Sequence, residues 1–259
     1  MTATSAPQRA GSAGARLRPL PVGLAAATVL LQVAYPLLDG AARDRLTVAT
    51  VVVFAAASVS HAAVHRGVRW AAAYLAVTAG LGLVAEAVGT ATGVPFGQYR
   101  YGDSLGPALL EVPLVVPLAW AMFGYPCLLV GQRLARTRWG AVAVGAWALA
   151  SWDLFLDPQM VEAGHWTWTD VRLALPGTPE IPVSNLLGWV LVGTVMLALL
   201  SLLPRRAADD RVPMALFLWT YGSSVLAFAV FFDRPAVALL GGVGMGLVAV
   251  PLVLVLARR

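Results

Sequence analysis

Eight stretches of this chain are each long and apolar enough to cross a lipid bilayer, which limits the fold more than any motif does. A spanning helix needs about 20 mostly apolar residues. The stretches are Pro21–Leu38, Thr47–Val64, Val68–Gly89, Val112–Val130, Trp139–Leu156, Leu186–Leu203, Val212–Phe232 and Ala236–Ala257. Only 12% of residues are charged, against about a quarter in a soluble domain. The expected fold class is therefore all-α, a polytopic transmembrane helix bundle of about eight spans. Residues 21–259 form a single integral membrane domain in this reading. Residues 1–20, rich in Arg, Ser and Ala and free of acids, are expected to be a disordered cytoplasmic tail.

Arginine placement tests the count. All 18 basic residues are arginines. With eight spans and the N-terminus inside, the tail, "HRGVR", "GQRLARTR", "PRRAADDR" and the final "RR" hold 13 of the 18. The positive-inside rule then puts both termini in the cytoplasm of a multi-pass cell-membrane protein. The arginines are topology signals in short loops, so no nucleic-acid partner is expected. The chain contains no lysine, which excludes a lysine Schiff base. The single Cys127 reads as a small buried hydrophobe.

In this orientation most of the acids gather on the outer face. Asp209 and Asp210 are the inner exceptions, beside Arg205, Arg206 and Arg211. In "YLAVTAGLGLVAEAVGTATG" Glu86 is the only charge, and ionisable groups at membrane depth are costly unless paired or facing water. Asp153 and Asp157 in "SWDLFLDPQM" are four apart, so they share a helix face. Like charges this close disfavour joint ionisation, so one is expected to keep a proton, as a general acid must. Proline disfavours helix in the residue before it, so the helix is expected to end at Asp157. Glu111 is expected to open the next helix, where an acid suits the dipole, and Asn185 reads as an N-cap. The loop "GVPFGQYRYGDSLGPALLEVPLVVP" offers Tyr99, Tyr101 and Asp103 to cap a pocket, since non-helical backbone is tolerated where it lines a cavity. His165, Trp166 and Trp168 in "GHWTW" suit an interfacial aromatic belt. His61 and His65 have ligand-like spacing but abut Arg66 and Arg69, and read as a basic helix end. No metal site is expected.

Acids and aromatic rings around an apolar cavity suit a reaction through a carbocation. An acid protonates an alkene, ring faces stabilise the cation, and water captures it. The segments "AEAVGTATGVPFGQYRYGDSLGP", "EVPLVVPLAW", "SWDLFLDPQM", "GHWTW" and "IPVSNLLGW" resemble carotenoid-biosynthesis membrane proteins, the family that includes bisanhydrobacterioruberin hydratases and carotenoid 1,2-hydratases. The resemblance runs from about Glu86 to Trp189. It implies addition of water to the terminal double bond of an acyclic C40 or C50 carotenoid, giving a tertiary alcohol without an organic cofactor. The implied catalytic candidates are Asp153, Glu86, Asp157 and Glu111, with Asp153 or Glu86 the expected proton donor and Asp157 and Asn185 expected to position water or tune the acid. The implied substrate-binding candidates are Tyr99, Tyr101, Asp103, Trp152, His165, Trp166 and Asn185. The implied partners are a long polyene, the bilayer and other carotenoid-pathway enzymes. Three other readings stay open. "DLFLD" could chelate Mg²⁺ in a membrane prenyltransferase or lycopene elongase. Glu86 and Asp153 could form the relay of a proton-coupled transporter. The protein could also bind carotenoid without catalysis.

Overall fold

In lipid every backbone amide must find a partner within the protein, and long apolar segments do so as helices. The computed structural model describes residues 19–258. It contains α1 (Leu20–Ala34, extended by a tight turn to Leu37), α2 (Gly40–Arg66), α3 (Val68–Thr92) and α4 (Val115–Leu134). These are followed by α5 (Arg138–Glu162), α6 (Val183–Leu200), α7 (Arg211–Leu226, extended by a wide π turn to Phe231) and α8 (Pro235–Ala257). All eight are long and apolar enough to cross a membrane, as the hydropathy predicts. Residues 1–18 of the expected tail lie outside the described residues, and Leu20 already belongs to α1.

Several boundaries shift by a few residues, and three of the shifts have a clear physical cause. Helix α2 starts at Gly40, not Thr47. Its first turns, "GAARDRL", are too polar to count as apolar run, yet Ala, Arg and Leu are good helix formers. Asp39 and Arg43 pair there at 2.6 Å. Asp44, between the first two expected spans, is thus helical. Helix α5 runs through Pro158 to Glu162. Proline removes one helical hydrogen bond and crowds the preceding turn, but Asp157, Pro158 and Met160 are all buried against neighbours, and packing outweighs the local preference. Helix α4 begins only at Val115, because Val112–Pro113 pairs with Ala108–Leu109 in a short hairpin.

Helices α4 and α5 form the centre: 83% and 67% of their most apolar stretches are buried, against 17% for α1. They approach closely because both carry glycine at the crossing. A Cβ on Gly131 would run into the Ala141 carbonyl, and one on Gly145 would lie 2.9 Å from the Cys127 carbonyl. Small residues at such contacts are the usual means of packing spans. The outer helices turn leucine and valine outward, among them Leu30, Val84, Leu191 and Leu239.

Two loops cap one end of the bundle. Strand β1 (Tyr99–Tyr101), from the α3–α4 loop, pairs antiparallel with β4 (Trp166–Trp168), from the α5–α6 loop. Tyr99 stands opposite Trp168 and Tyr101 opposite Trp166. Between them in sequence lies the hairpin of β2 (Ala108–Leu109) and β3 (Val112–Pro113). Strands β5 (Ala174–Leu175) and β6 (Thr178–Pro182) form a third ribbon before α6. At the opposite end, Arg66 donates to Asp210 at 2.7 and 2.9 Å and to the Tyr125 hydroxyl at 2.6 Å, clamping the α6–α7 loop to α2.

Candidate functional site

Glu86 sits less than two turns from the end of α3 and is 5% exposed. Three neutral donors hold its carboxyl group. Tyr99 and Tyr101 donate to Oε2 at 2.5 and 2.7 Å, and Trp120 Nε1 donates to Oε1 at 2.9 Å. Indole N–H can only donate, which makes Glu86 an acceptor there. Strand β1 supplies both tyrosines because its first and third residues project to one face. Burial, and then the adjacent Glu86, hold both tyrosine hydroxyls above the ordinary tyrosine range, so they stay protonated donors. Gly82 makes room for the indole: a Cβ there would lie 2.7 Å from Trp120 Cδ1. Trp120 stacks on Trp189 with centroids 3.9 Å apart, and Trp152 meets Trp189 edge-on at 6.0 Å.

The second group is on α5. Asp153 and Asp157 are both buried. Asn185 Nδ2 donates to Asp153 Oδ2 at 2.7 Å and also to Asp157 Oδ2. Trp166 Nε1, from β4, donates to Asp157 Oδ1 at 3.2 Å. Asp153 Oδ1 is buried and takes no hydrogen bond among the described residues. No arginine or histidine pairs with Glu86, Asp153 or Asp157 among the described residues.

The two groups face each other across a small cavity of about 60 Å³, on whose wall Glu86, Asp157 and Asn185 lie with Tyr99, Tyr101 and Trp189. A larger cavity of about 460 Å³ adjoins it, bounded by α1, α2, α4, α5 and α7 and lined by Trp152, Phe155 and Phe232. Thr47, Val51, Ala119, Leu156 and Met160 line both. Leu226 and Phe231, on the wall of the larger cavity, are more than half exposed on the flank of the bundle. An apolar chamber thus leads from that flank to a lobe bearing two carboxyl groups.

Most of the candidate residues converge there, but four do not. Glu111 is exposed in the β2–β3 turn with φ 63°, so it neither opens α4 nor faces the cavity. Asp103 is exposed in a one-turn 3₁₀ helix. His165 is fully buried, bonded through Nδ1 to Ser104 Oγ at 2.7 Å, with Asp44 3.8 Å from Nε2, and it lines neither cavity. Burial holds its imidazole below the ordinary histidine value. Asp153 is buried and lines neither cavity. Asn185 is not the cap of α6, which starts at Val183 after Pro182; it bridges the two aspartates instead. His61 and His65 stack at 4.3 Å, and His61 bonds to Tyr125 and the Asp209 carbonyl, both at 2.9 Å. Sequence reasoning missed Trp120, Trp189 and Phe96 as parts of the wall. The only signal was their place in "EVPLVVPLAW", "IPVSNLLGW" and "GVPFGQY".

Fold and site together define a multi-pass membrane protein with a buried, aromatic-walled acid site open to an apolar chamber. The carotenoid biosynthesis protein family matches residues 47–252, and the chain belongs to that family. A bisanhydrobacterioruberin hydratase from Haloarcula japonica is 35% identical over 139 residues, which cover 47% of this chain and 44% of that protein. The chain therefore matches less than half the length of this curated relative. No solved structure matches the chain.

Proposed function

We propose that this protein is a carotenoid hydratase, adding water to the terminal C=C of an acyclic carotenoid within the bilayer. The observation that carries this reading is the junction of the two cavities: an apolar chamber for a polyene ends in a lobe with Glu86 and Asp157 on its wall. Asp157 is the proton donor. It gives its proton to the less substituted alkene carbon; a C–H bond forms as the π bond breaks, leaving a tertiary cation. Glu86, fixed as an acceptor by Tyr99, Tyr101 and Trp120, is the negative charge that balances it. The faces of Trp120 and Trp189 add cation–π attraction. Asn185 uses its N–H groups on the aspartates, and its carbonyl oxygen accepts no hydrogen bond among the described residues. That oxygen holds the water, which bonds to the cation and returns a proton to Asp157. Asp153 positions Asp157 through the shared Asn185. Both termini are cytoplasmic in this reading, with the acid lobe at the outer end.

The prenyl-transfer reading needs a cation between Asp153 and Asp157. The Asn185 amide N–H₂, a donor, takes that place instead. The test is expression in a host that makes an acyclic carotenoid, with mass analysis of the pigments. A gain of one or two waters, lost in an Asp157→Asn variant, supports the hydratase. A gain of isoprene units, or unchanged pigment, refutes it.

A further inference from the structure

The end of the bundle opposite the β1–β4 ribbon is rich in arginine, and its arginines fall into two kinds. Some are answered within the protein. Arg66 and Arg211 pair with Asp210 and Asp209, and Arg206 donates to the Arg66 carbonyl. The turn from α4 to α5 differs. Arg133, Arg136 and Arg138 fall within six residues, and none of them pairs with an acid among the described residues. The segment "QRLARTRWG" has no acid to offer. Arg133 is partly buried, and its Nε is enclosed without a hydrogen-bond partner. A buried donor left unpaired is rare and calls for an explanation.

The same turn supplies further donors. Gly131 lets the last turn of α4 lie against the first turns of α5, close to the Ala141 carbonyl. Thr137 caps α5 by accepting from Gly140 N at 3.1 Å. The amides of Arg138 and Trp139 remain among the orphan donors at the positive end of this 25-residue helix, where anions are favoured. Arg138 is held in place. Its Nε donates to Ser201 Oγ, at the end of α6, at 2.9 Å, and its guanidinium lies 5.4 Å from the centre of the Trp139 ring. That hydrogen bond uses only one arm of the guanidinium fork. Trp139 is 66% exposed, and a tryptophan at the end of a span belongs at headgroup level. Positive charge, N–H donors and an exposed indole thus meet at the depth of lipid phosphates.

We infer that the α4–α5 turn is a binding site for the phosphate of an anionic phospholipid, held by Arg133, Arg136 and Arg138, with Trp139 against the lipid's glycerol region. A guanidinium fork matches phosphate oxygens in a two-pronged contact. Basic pockets at the ends of spanning helices take anionic headgroups for the same reasons. Charge alone does not make this site: an arginine that serves only as a topology signal needs neither an enclosed Nε nor a helix end beside it. The site is separate from the acid lobe and does not depend on the reaction proposed there.

Purified protein in detergent would be titrated with phosphatidylglycerol and with phosphatidylcholine of the same chain length, and bound lipid counted by native mass spectrometry. Phosphatidylglycerol is expected to bind about tenfold more tightly or better, since each arginine near an anionic lipid adds about fivefold. Arg136→Gln should therefore lose about fivefold, and the double variant Arg133→Gln with Arg136→Gln about 25-fold. Arg172→Gln, at the ribbon end and paired with Asp170, should bind as wild type does. Arg136 is exposed, so its single variant decides the matter even where the Arg133 change unfolds the end of α4. Equal binding of the two lipids, a preference that survives Arg136→Gln in full, or a loss as large in Arg172→Gln overturns the proposal. Displacement of the lipid by millimolar inorganic phosphate marks a site for the free anion and overturns it too.

Discussion

Replacing Asp157 by asparagine separates chemistry from structure at this site. The side chain keeps its shape and loses its acid. Asp157 now accepts from two donors, Asn185 Nδ2 and Trp166 Nε1. An amide can accept at only one of its two ends, so one of these bonds is lost and a donor meets a donor. That costs about 1–3 kcal/mol, partly offset by removing one member of a crowded carboxyl pair. Against a total stability of about 5–15 kcal/mol the variant still folds. The rate suffers far more, because general acid catalysis contributes about 10²–10⁴-fold, or roughly 3–5 kcal/mol of barrier at 1.36 kcal/mol per decade. Asp153→Asn removes an acid that lies off the cavity wall, and its rate should fall about tenfold or less. The assay is conversion of the acyclic polyene in isolated membranes, with folded protein quantified by size-exclusion in detergent. A folded Asp157→Asn variant above a tenth of the wild-type rate, or an Asp153→Asn variant that is the worse of the two, would refute the assignment.

Four further outcomes are expected. Gly82→Ala pushes a methyl group into the Trp120 ring; the overpacked helix should lose about 1–3 kcal/mol in thermal unfolding, with activity falling as Trp120 leaves Glu86. Glu86→Gln presents an amide N–H₂ to one of three donors and removes the balancing charge, so turnover in the membrane assay should drop at least tenfold with little change in polyene binding. His165 is held below the ordinary histidine value, so its stabilisation is fully present above about pH 6.5 and is lost as pH falls toward its lowered folded value; thermal unfolding from pH 7.5 to 5 should be less pH-dependent in His165→Gln than in wild type. Tyr99 and Tyr101 are raised, so their contribution is complete below about pH 10 and is lost as pH rises beyond it; Tyr101→Phe should flatten that alkaline loss in urea unfolding.

Hydropathy alone locates the eight spans, because apolar runs of that length have one stable form in lipid. The four-residue spacing likewise places Asp153 and Asp157 on one face, and the isolation of Glu86 in "LGLVAEAVG" marks it as buried. What the chain does not spell out is set by contacts between distant segments. The stop expected at Asp157–Pro158 yields to packing around Met160. Asn185 resembles a cap locally, but its partners are 28 and 32 residues away. Strands of two or three residues are too short for any periodicity to betray them, so the pairing of Tyr101 with Trp166 cannot be read from either loop. Glu111 suits a helix start in sequence, because the hairpin turns through positive φ at both Leu110 and Glu111, where Asn or Gly would be the usual signal and neither is present.

The β1–β4 ribbon ties the two carboxyl groups into one mechanical unit. One strand carries Tyr99 and Tyr101 to Glu86, the other carries Trp166 to Asp157, and Tyr101 faces Trp166 across the register. A displacement of either loop would therefore disturb hydrogen bonds at both acids together. Changes on the two strands should not add independently; residues that share such a network show coupling of about 0.5–3 kcal/mol. The setting of both acids is thus shared by two loops distant in sequence as well as by the two helices that carry them.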